Sequence, residues 1–229
     1  MSRLSHTSGF KSARKRRPLR VLVTGGPTKA YLDRVRYLSN YSTGSVAYEI
    51  CKTFHNRRAK VAAVIGPTAL DFSSLKLAIF RPVETFDEMR KEVHRVCKVF
   101  RPDIVVFSAA VLDFVPVKIR SGKVSSKQKT WTIQLKPTPK IIDEIGKRFP
   151  HIRRVGFKLQ WKEKHPAQFG KKILETKKLD ALVLNDLSQV EGQFHPAFLF
   201  ERGKAPVRVN SKKAIANWIA DAAQQFHLV

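Results

Sequence analysis

The stretch from Val21 to Gly44 constrains the fold more than any other part of this chain. It begins with the apolar run Val-Leu-Val-Thr, which predicts a short strand, and turns at Gly25-Gly26-Pro27. A polar loop then leads to Gly44, where helical spacing of apolar residues begins. Free backbone N–H groups at a helix N-terminus favour anions, and glycine lets a ligand approach the main chain. A strand, a glycine turn and a helix start together predict a phosphate-binding corner.

The rest of the chain alternates between strand and helix signals. Apolar residues recur at helical spacing after Gly44 and after Thr85, and Thr85 and Glu88 have the spacing of a capping box. Thr138 followed by proline predicts the cap of a further short helix. The predicted strands span 60–65, 77–80, 103–108, 154–159 and 180–184, and the longer helices span 44–57, 86–100, 167–178 and 211–226. This order predicts an α/β fold, doubly wound around a mostly parallel sheet.

Two segments depart from this alternation. Val111 to Leu135 lacks helical periodicity and holds a basic loop, and it ends in the alternating run Thr130 to Leu135. Such alternation predicts an exposed strand, so we expect a β-flap over the carboxyl edge of the sheet. Phe194 to Val209 predicts a hairpin with Gly203 near its turn.

The chain is strongly basic. Its 229 residues include 44 Lys and Arg against 18 Asp and Glu, for a formal net charge of +26. Residues 1–20 hold seven of these cations and no acid, and the segment from Lys147 to Lys178 holds eleven against two acids. Such an excess predicts contact with RNA or another polyanion through these two regions.

Residues 1–20 and 21–229 are predicted to be organised differently. The first 20 have too few large apolar side chains to offset the entropy of ordering, which predicts a flexible basic arm. Three interpretations of the arm stay open: a tail that contacts nucleic acid, an organellar transit peptide, and a solvated end. Residues 21–229 are predicted to form one domain. A cytoplasmic location is expected, or an organellar one if the arm is a transit peptide.

The positions of the cysteines argue against a metal or redox site, and the hydropathy of the chain argues against a membrane protein. Cys51 and Cys97 are the only cysteines, lie 46 positions apart, and fall on apolar faces of predicted helices. This placement predicts reduced core residues and not a metal or redox site. No run of roughly 18 apolar residues occurs, so no membrane partner is expected.

Several collinear motifs resemble phosphopantothenoylcysteine synthetase. That family forms the carboxy-terminal half of the bacterial bifunctional coenzyme A biosynthesis flavoprotein and also occurs as a stand-alone enzyme. The resemblance covers about residues 19–226, and the set of motifs makes it specific where the first alone would be weak. The motifs are GGPT at 25–28 with LDRVRYLSNYSTG at 32–44, GPT at 66–68, AAVLDF at 109–114, KI at 118–119, VGF at 155–157 and KKLDALVLND at 177–186.

The resemblance implies a Rossmann-like domain that ligates 4′-phosphopantothenate to cysteine in two steps. The carboxylate of phosphopantothenate attacks the α-phosphate of CTP or ATP, and pyrophosphate leaves with the assistance of Mg²⁺. The amine of cysteine then displaces the nucleotide and forms the amide. Such chemistry needs charge neutralisation and positioning more than an acid or a base. The resemblance further implies a homodimer, no flavin, and no metal site made by side chains.

Three residues are implied to be catalytic. Asn40 matches an asparagine whose amide holds the acyl-nucleotide, and its plainer interpretation is an asparagine that satisfies its own loop. Arg36 lies beside it in sequence and is a candidate phosphate partner. Lys118 matches a lysine that compensates phosphate charge in the transition state, and its plainer interpretation is a solvated side chain.

The resemblance also implies a set of nucleotide contacts. Asp113 follows a buried strand at its carboxyl end, where α/β folds bind ligands. A family lysine falls at Ile173 here, so the neighbouring Lys172 is the candidate substitute. Phe157 is a candidate for contact with the base. The full set is Gly25, Gly26, Gly66, Ala110, Asp113, Phe157, Lys172 and Lys177.

Three positions depart from the family pattern. Ser45 and Ala47 stand where the family usually has a basic residue and a second glycine, and Gln160 lies where small residues and a glutamate are common. These departures leave an alternative open, in which a catalytically reduced paralogue binds RNA or the ribosome.

Overall fold

The structure is a computed structural model that describes residues 17–190 and 194–228. The strands are β1 Arg20–Gly25, β2 Lys29–Tyr31, β3 Tyr37–Ser39, β4 Lys60–Ile65, β5 Ile79–Pro82, β6 Ile104–Phe107, β7 Phe114–Pro116, β8 Leu135–Pro137, β9 Arg153–Gln160, β10 Ala181–Asp186, β11 Ala197–Glu201 and β12 Val207–Val209. The α-helices are α1 Ser45–Asn56, α2 Phe86–Phe100, α3 Ile141–Arg148, α4 Pro166–Thr176 and α5 Lys212–Leu228.

An eight-stranded sheet organises the described chain, in the order β12-β11-β10-β9-β6-β1-β4-β5. Strands β5, β4, β1, β6, β9 and β10 run parallel, and β11 and β12 add an antiparallel hairpin. The chain moves from β1 to β4 and β5 on one side and returns to β6 on the other. The switch in strand order therefore lies between β1 and β6, where open α/β sheets bind ligands. The predicted fold class is confirmed.

Helices cover both faces of the sheet. On one face α1 and α5 pack over the alternate strand residues Val23, Val106 and Val155. On the other face α2 and α3 pack over Leu22 and Val105, and α4 extends that layer over β10 and β11. Both cysteines are buried in these layers, as predicted, and burial raises the pKa of their thiols, that of Cys97 to about 12. Within the described chain, no helix is long and apolar enough to cross a membrane.

Of four local predictions, the structure confirms two and contradicts two. The capping box is confirmed, because the Thr85 hydroxyl accepts from the Glu88 N–H while the Glu88 carboxylate accepts from the Thr85 N–H. The strand predicted over 130–135 is wrong, because β8 only begins at Leu135. Thr138 does not cap α3, since its hydroxyl donates instead to the Leu112 carbonyl at 2.7 Å. The hairpin around Gly203 is confirmed.

The predicted basic arm falls mostly outside the described residues, which begin at Arg17. Its last residues belong to the folded domain. Arg17 forms an ion pair with Asp103, and Arg20 is the first residue of β1. The folded domain therefore includes residues from Arg17 onward, whereas composition predicted that it begins at residue 21.

Two glycines let the turns after β1 and β4 touch, and a third lets α1 approach β1. A Cβ on Gly25 would lie 2.2 Å from the Ala47 Cβ of α1, and one on Gly66 would lie 1.7 Å from the Pro27 carbonyl oxygen. Gly26 has a φ of 69° and faces the Gly66 backbone. The close approach of protein atoms by itself requires glycine at these positions, whether or not a ligand also contacts them.

Asp33 clamps the polar loop that follows β1. The loop holds the hairpin of β2 and β3, and the Asp33 side chain is fully buried beneath it. Its carboxylate accepts from the N–H groups of Val35 and Arg36 at 2.8 Å and from that of Val124 at 3.1 Å. The Arg36 guanidinium donates to it at 2.7 Å and lies over the Trp131 ring. One carboxylate therefore ties the hairpin to the basic loop between β7 and β8.

Hydrogen bonding keeps this carboxylate charged. Burial alone raises the pKa of Asp33, but the N–H groups of Val35, Val124 and Arg36 outweigh burial. With the charge of Arg36, they hold the pKa at about 2.

We predict that Gly25→Ala destabilises the fold by about 1–3 kcal/mol, because the new methyl must displace α1 from β1. Urea unfolding followed by circular dichroism measures the change. Gly122→Ala is the matched control, since a Cβ there meets no atom within 4 Å. Equal midpoints for the two variants would contradict the steric argument.

We predict that Asp33→Asn is less stable than the wild type at neutral pH and that the difference shrinks on acidification. The folded pKa of about 2 lies below an unfolded value of about 3.9, so the stabilisation is complete above pH 3.9. It is lost as the pH falls through the folded pKa. Urea midpoints of both proteins between about pH 2 and 7 test this. A difference that does not change with pH would refute it.

Candidate active site

Loops from three strands meet at the carboxyl edge of the sheet, beside the switch point. The Ala110 N–H donates to the Gly26 carbonyl at 2.9 Å, and the Ser108 hydroxyl donates to the Thr24 carbonyl at 2.6 Å. The Thr68 hydroxyl, after β4, donates to the Thr43 carbonyl at 2.7 Å. The loops after β1, β4 and β6 therefore form one connected surface.

Asn40 lies at the centre of this surface. Its amide nitrogen donates to the carbonyls of Ala110 and Val111 at 3.3 and 3.0 Å, while the side chain stays exposed. These bonds reach across the switch point to the loop after β6, so Asn40 does more than satisfy its own loop. The two amide protons point at backbone carbonyls, and the Asn40 side chain can exchange those bonds for a ligand oxygen at low cost because it is solvated.

The entry to α1 explains two of the departures from the family pattern. Gly44 precedes the helix with a φ of 74° and has no side chain to cap that end, and the Thr43 hydroxyl accepts from the Ser45 N–H at 3.4 Å. The Ser45 hydroxyl lies 2.9 Å from that of Thr43, so it belongs to the loop. Ala47 is buried against Gly25 and does not face the surface. Its departure therefore concerns helix packing and not ligand contact.

Asp113 and Lys118 lie on the exposed chain beyond β6. Asp113 forms an ion pair with Lys140, and its carbonyl accepts from the Thr138 N–H at 2.9 Å. Lys118 is exposed just after β7. Two residues further on, the Arg120 N–H donates to the Leu32 carbonyl at 3.0 Å, which fastens the flap to the hairpin of β2 and β3. The fold thus brings the flap beside the loop that carries Asn40.

Arg36 has a structural task in addition to the phosphate contact predicted for it. Its guanidinium is held by Asp33 and by the Val124 carbonyl, and it lies 5.5 Å from the centre of the Trp131 ring. Its role toward phosphate stays a prediction. Asp33 itself was missed by sequence reasoning, although Asp and Arg three positions apart in a polar loop are a recognisable turn signal.

The remaining predicted contacts are spread over the domain. Phe157 is half-buried against the core layer of α1 and α5. Gln160 lines a small cavity at the end of β9 with Asn185 and Asp186. Lys172 is exposed on α4, whereas Lys177 follows α4 and precedes β10. Because a crossover helix returns the chain to the start of the next parallel strand, Lys177 lies at the amino edge, where it pairs with Asp143 at 2.7 Å.

The site therefore gathers Gly26, Asn40, Ala110 and Asp113 and leaves Lys177 apart from them. The described residues contain no group of three or more His, Cys, Asp or Glu side chains that could hold a metal ion. Thr68 and Lys140, which hold two of the loops, were also missed, because their partners lie 25 and 27 positions away along the chain.

Comparisons with known proteins agree with this architecture. The chain is 34% identical over 167 residues to the coenzyme A biosynthesis bifunctional protein CoaBC of Bacillus subtilis (strain 168), an overlap of 73% of this chain and 40% of that protein. It is 34% identical over 175 residues to the CoaBC protein of Thermococcus kodakarensis, covering 73% of this chain and 41% of that protein. The chain thus spans about two fifths of the length of the curated relatives it matches.

A solved structure matches almost the whole described domain. The DNA/pantothenate metabolism flavoprotein from Streptococcus pneumoniae superposes with a TM-score of 0.80 at 25% identity, covering 91% of this chain and 100% of that one. Residues 17–226 also match the family described as the DNA/pantothenate metabolism flavoprotein C-terminal domain. The chain belongs to that family.

Proposed function

We propose that this protein is a phosphopantothenate–cysteine ligase of coenzyme A biosynthesis. It would activate the carboxylate of 4′-phosphopantothenate as an acyl-nucleotide, release pyrophosphate, and transfer the acyl group to the amine of cysteine. The position of Asn40 carries the proposal. Its amide lies at the switch point of a domain whose curated relatives are named as coenzyme A biosynthesis proteins.

The chemistry of the site supports an acyl-nucleotide intermediate. The Asn40 amide can exchange its bonds to two backbone carbonyls for a bond to an oxygen that gains negative charge, and the loop already holds the amide beside that position. The exposed Lys118 on the adjoining flap can reach a phosphate that enters from solvent. Asp113 lies beside them, beyond β6, at the edge where α/β folds bind nucleotides.

CTP or ATP serves as the co-substrate in this proposal, with Mg²⁺ carried on its phosphates. Mg²⁺ commonly enters such sites already bound to the nucleotide phosphates, so the proposal needs no metal site made by side chains. Neither nucleotide is favoured by a described contact. A cytoplasmic location is part of the same proposal, and the transit-peptide alternative depends on residues outside the described range. The comparisons give no support to the reduced-paralogue alternative.

We predict that Asn40→Ala lowers turnover by about a hundredfold or more, the usual effect of removing one preorganised donor. The assay measures pyrophosphate released from CTP or ATP in the presence of phosphopantothenate, cysteine and Mg²⁺. Asn56→Ala, at the far end of α1, is the matched control and should keep full turnover. The proposal fails if the wild type releases no pyrophosphate with either nucleotide, or if Asn40→Ala turns over normally.

The predicted homodimer is a second part of the proposal. Large apolar side chains are exposed on the adjoining hairpin and flap: Tyr41 is 92% exposed, Ile119 59%, Val117 54% and Phe114 53%. A cluster of this kind, next to a functional edge, is typical of a protein–protein contact.

We predict that Phe114→Asp with Ile119→Asp converts a dimer into a monomer, because charge would be buried at the contact. Sedimentation equilibrium measures the mass. Val99→Asp, which changes an equally exposed apolar residue on α2, should leave the dimer intact. A monomeric wild type, or equal dissociation of both variants, would contradict the assignment.

A further inference from the structure

The amino edge of the sheet, opposite the candidate active site, carries a row of basic loops. Backbone hydrogen bonds join the loops: the Lys60 N–H donates to the Leu19 carbonyl, Asp103 to Arg20, Arg153 to Asp103, and Asp180 to Arg154. Helices α1, α2, α3 and α4 end at this edge. Seven adjacent strands from β5 to β11 span it, which corresponds to a row roughly 30 Å long.

Cations outnumber acids along this row. Four acids on it already have a partner: Asp103 pairs with Arg17, Asp180 with Arg153, Glu201 with Lys204, and Asp221 with Arg57. Glu175, in the last turn of α4, is exposed and forms no ion pair within the described residues. Among the described residues, the exposed cations at this edge that take part in no ion pair include Arg58, Lys60, Lys76, Arg101, Arg148 and Lys178. The row therefore presents net positive charge to solvent.

Backbone conformation gives an independent observation. In the described chain, the residues other than glycine with positive φ are Arg58, Lys76, Arg101, Lys162 and Lys178. All but Lys162 lie on the amino edge, and Arg58, Arg101 and Lys178 lie one or two residues after the ends of α1, α2 and α4. A left-handed residue after a helix is usually glycine or asparagine, because other side chains are strained there. Basic side chains occupy these positions in spite of that strain.

Helix ends alone account for only part of this pattern. The C-terminus of a helix carries about half a negative charge, which a single nearby cation offsets. Here each helix end already has further basic neighbours, such as Lys60 beside Arg58 and Lys177 beside Lys178. The described chain begins at this edge with Arg17, and the sequence before it contains Lys11, Arg14, Lys15 and Arg16.

We propose that the amino edge is a docking surface for the phosphodiester backbone of a nucleic acid. One strand of a duplex carries a phosphate about every 3.4 Å, and a row of roughly 30 Å therefore corresponds to about nine phosphates. Exposed Lys and Arg without acidic partners provide contacts that do not depend on sequence. The surface lies away from Asn40, so the inference is independent of the ligase proposal and compatible with it.

The test uses a variant that removes charge and relieves strain together. Arg58→Gly, Arg101→Gly and Lys178→Gly are combined, because glycine is the residue best suited to their conformation. Lys52→Gln, Lys91→Gln and Lys213→Gln form the control, with the same net charge but with exposed cations removed from the helices. The probes are a fluorescent RNA strand of about 30 nucleotides, the DNA strand of the same sequence, and phosphatidylglycerol vesicles, in salt between about 50 and 200 mM.

We expect the full-length wild type to bind RNA, DNA or both, with an affinity that falls steeply with salt. The glycine variant should bind at least about tenfold more weakly and lose about 2 to 3 from the slope of log K against log salt. The control variant should stay close to the wild type. Ligase turnover should be unchanged in the glycine variant, which separates this result from a failure of the proposed function.

Three results would overturn the inference. They are the absence of salt-dependent binding to either strand, equal weakening by the two triple variants, and binding to the vesicles alone. Urea midpoints show whether the glycine variant is folded. If it is not, the same three positions are changed to asparagine, which also tolerates the left-handed conformation, and the comparison is repeated with the same outcomes.

Discussion

The contact between the turns after β1 and β4 is the constraint on which the site depends. Gly66 fits against the Pro27 carbonyl only because it has no side chain, and Gly25 allows α1 to lie directly on β1. With the two turns in contact, Thr68 reaches the Thr43 carbonyl, and the chain from 40 to 44 is held against the loop after β6. The motifs that resemble a phosphate cradle thus act first as a packing device. The surface of the candidate active site consists of the loop residues that this packing leaves exposed to solvent.

Asn40 and Asp33 have different roles in the loop after β1. Asp33 is buried and charged, and it binds the hairpin of β2 and β3 to the basic loop of the flap through backbone N–H groups and Arg36. Asn40 is exposed and neutral, and its bonds to two carbonyls are of the kind that solvent or a ligand can replace. Asp33 thus holds the loop rigid, and the exposed Asn40 amide can exchange its hydrogen bonds for those of a ligand.

The two edges of the sheet differ in charge and in composition. The carboxyl edge combines polar loops, glycine turns and exposed apolar side chains, and the amino edge carries basic loops in which most of the acids are already paired. Because these edges are opposite ends of the same strands, a polyanion on one edge leaves the other free. Part of the high net charge of the chain is therefore concentrated away from the candidate active site.

The sequence by itself determined the layer order, the buried central strands, the capping of α2 and the family, because these depend on local periodicity, on side chains a few positions apart and on collinear motifs. Only the tertiary structure decided which residues meet. The partners of Asn40 lie 70 and 71 positions away, Lys140 lies 27 positions from Asp113, and Lys177 is carried to the opposite edge by the course of α4. The strand predicted over 130–135 failed because the segment has only a short pairing partner in β7, and alternation without a partner strand does not make a sheet.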